Sequence, residues 1–206
     1  MNLFNFILII AAFAMLISPS AAEVKTLTYC DTLPVKSTGW ADNHTLPLFD
    51  PTLGDLVGVD LVIRLDVLQD FRFENKGTLG QTVAVESDVD LLITTPNSSS
   101  ISVTASSSIS ENLAGFDGVV DYSGASGRSL EGVTSNSSKT LEYPYLSDFI
   151  ASAPGENVSL PASTSVRSSS LAPGNCIFEM ATFTGSKLCV TYTYEPEYPR
   201  DVGESR

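Results

Sequence analysis

Between Val57 and Phe73 every second residue is apolar or nearly so. Val57, Val59, Leu61, Ile63, Leu65, Val67, Gln69, Phe71 and Phe73 occupy the odd positions, and Asp60, Arg64, Asp66, Asp70 and Arg72 fall on even ones. A repeat of two is the mark of a pleated strand with one dry face, because successive side chains of an extended chain point to opposite sides. The run exceeds ordinary strand length. It is therefore expected to bend or break near Gln69 and Asp70, where the odd face loses an apolar residue, and a strand bent there can serve two sheets.

The same period returns along the chain. After the turn-forming Asn75-Lys76-Gly77-Thr78-Leu79-Gly80, it is carried by Val83, Val85, Val89, Leu91 and Ile93. Past Pro96-Asn97-Ser98 it resumes at Ile101, Val103, Ala105 and Ile109. These runs read as an antiparallel meander. Leu188, Val190, Tyr192 and Tyr194 alternate near the end, and Pro196 stops the strand because it has no N–H to give to a ladder. Short helical turns fit only Glu111–Phe116 and Tyr145–Ala153. The Ser-rich stretches Ser135–Ser138 and Ser163–Ser170 read as surface strands or loops. Several half-apolar strands need a second sheet over their dry faces, so the expected class is all-β: an antiparallel two-sheet sandwich, immunoglobulin-like or jelly-roll.

The chain opens on an uncharged apolar run, Leu3 to Ile17, closed by Ser18-Pro19-Ser20-Ala21-Ala22. It is too short to cross a bilayer as a helix and fits a secretory signal peptide over residues 1–22, cleaved before Glu23. Met1–Phe6 has no Lys or Arg, so an uncleaved N-terminal anchor is the alternative. One β-sandwich domain is expected over residues 23–196, with a flexible tail over 197–206 and no membrane span in the mature chain. All 11 Lys and Arg and all 24 Asp and Glu lie beyond the leader, giving a net charge of −13. Such acidity opposes binding to nucleic acid and to anionic membranes.

The side chains that bear chemistry are few. Three cysteines, Cys30, Cys176 and Cys189, suggest one disulfide in an oxidising compartment. Cys176 and Cys189 are candidates to meet across a hairpin of Ile177–Thr182 with Lys187–Tyr192, although spacing leaves all three pairings open. His44, the sole histidine, reads as a solvated loop residue, which leaves no zinc site and only one possible Ser-His-Asp triad. Asp50, Asp55, Asp117 and Asp121 are weak candidates for calcium, a cation that wants six or more oxygens. For Asp117 an Asx turn is the simpler reading. Glu86, Asp88 and Asp90 share one strand face and read as a solvated outer stripe rather than a glycosidase pair. Sequons stand at Asn43, Asn97, Asn136 and Asn157, each at an expected loop or strand edge.

Three segments carry a resemblance. Thr45-Leu46-Pro47-Leu48-Phe49-Asp50-Pro51-Thr52-Leu53-Gly54-Asp55-Leu56-Val57-Gly58-Val59 is similar to the opening signature of the choice-of-anchor E domain family. The stretch Asn112–Gly124, centred on Phe116-Asp117-Gly118, and the closing Val190-Thr191-Tyr192-Thr193-Tyr194 resemble that family's later blocks in the same order. The resemblance implies an exported bacterial or archaeal all-β surface module with no enzymatic activity. The sequence after Pro196 departs from it, lacking the apolar segment and basic tail of a sorting signal, so surface anchoring is not implied. The leading functional expectation is a non-catalytic secreted or cell-surface structural or interaction module, with cell-surface or matrix components as partners. A second is a carbohydrate- or calcium-binding module using Trp40, Tyr143 and Tyr145. A third is a self-assembling fibre subunit that adds Val24–Tyr29 or the tail to a neighbour's sheet.

Overall fold

The computed structural model describes residues 23–171 and 174–197. The signal-peptide expectation therefore lies outside the described residues, as does all of the tail beyond Glu197. Eight strands follow in chain order: β1 (Lys25–Ser37), β2 (Ala41–Pro47), β3 (Gly54–Asn75), β4 (Gln81–Thr94), β5 (Ser100–Leu113), β6 (Gly127–Glu142), β7 (Asn157–Leu171) and β8 (Cys176–Pro196). Helix is confined, among the described residues, to single 3-10 turns at Pro51–Leu53 and Leu146–Phe149. The second lies where a helical turn was expected. The first half of Glu111–Phe116 instead completes β5, because Leu113 is drawn into the core.

The strands form two four-stranded antiparallel sheets, ordered β1-β8-β3-β6 and β2-β7-β4-β5. Successive strands change sheet at every connection except β4 to β5, which pair directly around the turn at Pro96–Ser99. This is the strand order of a jelly roll, which decides between the two sandwich topologies. The expected meander is thus corrected: β3 and β4 face each other across the core instead of sharing a ladder. Each sheet has its own dry face to cover, and crossing at all connections but that one lets the two cover one another.

β3 and β8 form the central pair of the first sheet, paired from Gly54 opposite Pro196 to Asn75 opposite Cys176. Gly54 starts β3 at φ 137°, and a Cβ there would strike the Glu195 carbonyl oxygen. Val59, Leu61, Ile63, Leu65 and Val67 of β3 are buried, together with Leu188, Val190 and Tyr192 of β8. They meet Val89, Leu91 and Ile93 of β4 and Leu160 and Ala162 of β7. Only Val57 departs from the odd-face pattern. It is 46% exposed, beside a register shift between Leu56 and Gly58.

Gln69 marks an irregularity, as its polarity suggested, but β3 stays in one sheet. Its register against β6 shifts between Gln69 and Phe71, whereas its pairing with β8 continues unbroken. The Gln69 side chain is buried. Its Nε2 donates to Ser87 Oγ at 2.8 Å and to Thr182 Oγ1 at 3.3 Å, and its Oε1 accepts from Ser107 Oγ at 2.6 Å. This polar layer separates the main core from a smaller one made by Phe71, Phe73, Val83, Val85 and Leu113. A buried amide with its bonds made does not incur the desolvation cost of an unpaired one.

Candidate functional site

The alternation that buries Leu188 and Val190 also buries Ser186, two residues earlier on β8. The same logic on β2 turns His44 inward beside Leu46. His44 is therefore not in a solvated loop: it is fully buried on a strand. Its Nδ1 lies 3.0 Å from Asp31 Oδ2 on β1, and its Nε2 lies 2.9 Å from Ser186 Oγ on β8. A carboxylate only accepts, so Nδ1 carries the proton and Nε2 accepts the serine hydroxyl. Asp31 Oδ2 also accepts the Thr45 backbone N–H at 3.0 Å. Burial holds the imidazole below its ordinary pKa of 6.5, while Asp31 and Asp42 pull it upward.

This is the connectivity of a Ser-His-Asp relay. Its setting differs from that of a hydrolase, because a nucleophilic serine must be met by a substrate. Ser186 is 2% exposed, and its backbone is paired on both sides, with Leu33 of β1 and Leu65 of β3. What the relay does in this geometry is join the two sheets at the side where β1 and β2 run. Asp31 and Ser186 escaped the sequence reading. Their signal was present as register: Ser186, Thr184 and Thr182 continue the buried even face of Leu188 and Val190 backward.

Beside the relay, Cys30 and Cys189 face each other in the β1–β8 ladder and form a disulfide, with Cα atoms 4.0 Å apart. The Cys176–Cys189 candidate pair is thereby corrected. Residues 176–196 form one extended strand instead of a hairpin, so thirteen residues of strand, roughly 43 Å, separate Cys176 from Cys189. Cys176 remains a free thiol whose pKa burial pushes up.

The carboxylate candidates do not converge. Asp50 caps the 3-10 turn, accepting from Thr52 N at 2.9 Å and Thr52 Oγ1 at 2.8 Å, and these bonds lower its pKa. Asp55, the second residue of β3, lies opposite Glu195. Asp117 makes the expected Asx turn with Val119 N at 3.1 Å, and Asp121 Oδ1 accepts from Ser123 N at 2.9 Å. The second pair adjoins the Asn75 end of β3, roughly 70 Å of strand from the first. No group of three His, Cys, Asp or Glu side chains is placed to hold a metal among the described residues. Glu74, absent from the sequence reading, is buried under this loop: its Oε2 accepts Tyr122 N at 2.8 Å, and its Oε1 has no partner.

Two of the three candidate aromatic contacts turn inward. Trp40 is buried, its Nε1 donating to Thr184 Oγ1 at 2.8 Å, with Lys36 Nζ 4.8 Å from its ring centre. Tyr143 is buried and donates to Asp148 Oδ2 at 2.6 Å, and burial with that bond pushes its pKa up to about 12. Tyr145 alone is exposed.

The outer face of the second sheet is polar. All four sequon asparagines are exposed: Asn43 on β2, Asn97 in the β4–β5 turn, Asn136 on β6 and Asn157 at the start of β7. Farther along, an open groove of about 540 Å³ crosses β5, β4 and β7. It is lined by Glu86, Asp88, Ser106, Ser107, Ser108, Arg167, Ser168 and Ser169. Register sets these in transverse rows. Ser108, Glu86 and Ser169 form one, and Ser106, Asp88 and Arg167 the next. In the second row Ser106 Oγ donates to Asp88 Oδ1 at 2.6 Å, while Arg167 reaches sideways to Asp90 Oδ2 at 2.9 Å.

No family model matches the chain, and no curated protein matches it. Among solved structures, the chain is similar to infectious bursal disease virus, Gx strain, at 7% identity and a TM-score of 0.20, covering 84% of this chain and 37% of that one. The VP2 subviral particle of the same virus matches at 10% identity and a TM-score of 0.21, covering 84% and 38%. The chain thus spans under half the length of the viral proteins it resembles.

Proposed function

We propose that this chain is a non-catalytic module of the cell surface or extracellular space, with a structural or interaction role. The observation that carries this reading is the Cys30–Cys189 disulfide. Such bridges persist in oxidising compartments and are uncommon in reducing ones. The apolar leader-like opening and four exposed sequons support the same placement, and the resemblance to the choice-of-anchor E domain is in keeping with it. The burial of Ser186 and His44 supports a chain that performs no hydrolysis through its relay.

The fibre-subunit reading draws less support. Lys25–Tyr29 is already paired with β8 of its own chain, so that segment would have to leave its own sheet to enter a neighbour's. A ligand-binding role is favoured by one observation, the polar groove across β5, β4 and β7.

Fractionation of the native host, followed by non-reducing peptide mapping, tests the main proposal. The expected product begins near Glu23, lies outside the cytosol and carries the oxidised Cys30–Cys189 pair. A chain confined to the cytosol with Cys30 reduced overturns it, as does labelling of Ser186 by a fluorophosphonate probe in the folded protein.

A further inference from the structure

We propose that the groove across β5, β4 and β7 binds a neutral oligosaccharide lying across the strands. The inference rests on the extracellular placement above and names the ligand class. Its foundation is the row Ser108–Glu86–Ser169: two hydroxyls flank a carboxylate on adjacent strands, and none of the three side chains bonds another described side chain. Asp88, one row away, keeps one oxygen on Ser106, and Asp90 is held by Thr104 and Arg167. The carboxylates of Asp88 and Asp90 are thus bonded within the sheet face, while the first row presents a carboxylate acceptor between two hydroxyls that both donate and accept.

The lining selects the ligand by what it lacks and what it holds. No aromatic or aliphatic side chain lines the groove, which excludes an apolar guest. Arg167 is already paired with Asp90, so Glu86 and Asp88 leave the groove negative; a polyanionic glycan is repelled, while exposed, salt-screened carboxylates hold a polycation only weakly. A polyol answers each remaining group: vicinal hydroxyls donate to Glu86, and serine hydroxyls pair with ring and hydroxyl oxygens. Strands about 4.8 Å apart bring a fresh side chain under a transverse sugar chain at intervals close to one pyranose ring. The sequons leave this area free. Asn157 begins β7 ten residues before Arg167, Asn43 pairs with Pro161, Asn97 lies in the β4–β5 turn nine residues past Asp88, and Asn136 lies in the other sheet. Without a stacking aromatic the affinity is modest, about 1 mM or somewhat tighter.

NMR titration of the disulfide-intact protein tests this. The probes are neutral hexasaccharides of glucose, mannose, xylose and galactose, with an oligogalacturonate and hexalysine as charged controls. At least one neutral probe is expected to shift the amides of Glu86, Ser106–Ser108 and Arg167–Ser169. Glu86→Gln is expected to weaken it about tenfold, and the double variant Ser108→Ala with Ser169→Ala to weaken it similarly. All three positions are exposed, so an unchanged melting temperature shows each variant to be folded. The proposal is overturned if no neutral probe shifts these amides, if only a charged control does, or if both variants bind as the parent does. A protein that is exported and oxidised yet silent to every sugar refutes the groove assignment and leaves the extracellular reading intact.

Discussion

His44 shows how a single side chain couples the interior to solvent conditions. It is the chain's only histidine and is fully buried, bonded to Asp31 and Ser186. Its folded pKa lies below the ordinary value because burial disfavours the charged ring. The unfolded chain therefore binds the proton first as pH falls. Stability is full above about pH 6.5 and declines as pH drops from there toward the lower folded pKa. Urea midpoints measured from pH 8 to pH 5 should fall for the parent and stay flatter for His44→Gln, which keeps a bonding side chain but cannot titrate. The two proteins losing stability in parallel would assign the decline to carboxylates instead. Gln69 belongs to the same class of residue. In the sequence it marks an interruption of an apolar face, and in the fold it is the centre of a bonded polar layer.

At the scale of the element, β3 is the test of alternation. Ile63 is fully buried at the centre of the main core and Val57 is 46% exposed at the strand's start, although both occupy odd positions. Ile63→Ala is expected to cost about 3–4 kcal/mol through lost burial and the cavity left behind. Val57→Ala should stay within about 0.5 kcal/mol. Denaturant unfolding at constant slope reads both, and similar costs at the two sites would mean that the odd face is not the dry face. The alternation was legible because burial on one side imposes a period of two on any long strand. Its end was not, since the shift at Leu56 and Gly58 arises from how β3 meets β8. The hairpin expected of Ile177–Thr182 with Lys187–Tyr192 does not form, for a related reason. Gly185 lies between those two segments, yet it is buried, and a Cβ there would press on Val35 of β1, so the glycine serves close strand approach and the strand runs straight through it.

Across the whole molecule, the Cys30–Cys189 bond ties the first strand to the last, 159 residues apart. Closing so long a loop removes much of the unfolded chain's freedom, a contribution of about 3–5 kcal/mol in the chain-entropy account. Cys30→Ser with Cys189→Ser should therefore lower stability by about that amount, and Cys176→Ser by less than about 1 kcal/mol. Chemical denaturation of the three proteins checks this. A large loss from Cys176→Ser alone would mean that the bridge had been assigned to the wrong pair. The candidate sites divide along a similar line. Glu86, Asp88 and Asp90 were legible as an outer stripe, and Asp117 as a local turn, because each follows from neighbours in sequence. The serines that join Glu86 in a row come from β5 and β7, and the partners of His44 come from β1 and β8. The sequence by itself determined that strands would form, where β3, β4, β5 and the later half of β8 lie and which of their faces turn inward, since these depend on the period of apolar side chains. Only the tertiary structure decided the jelly-roll order, the disulfide partner, the relay at His44 and the groove. Each of these depends on which distant strands become neighbours, and the free energy of that pairing is shared among the whole set of strands instead of being written in any one of them.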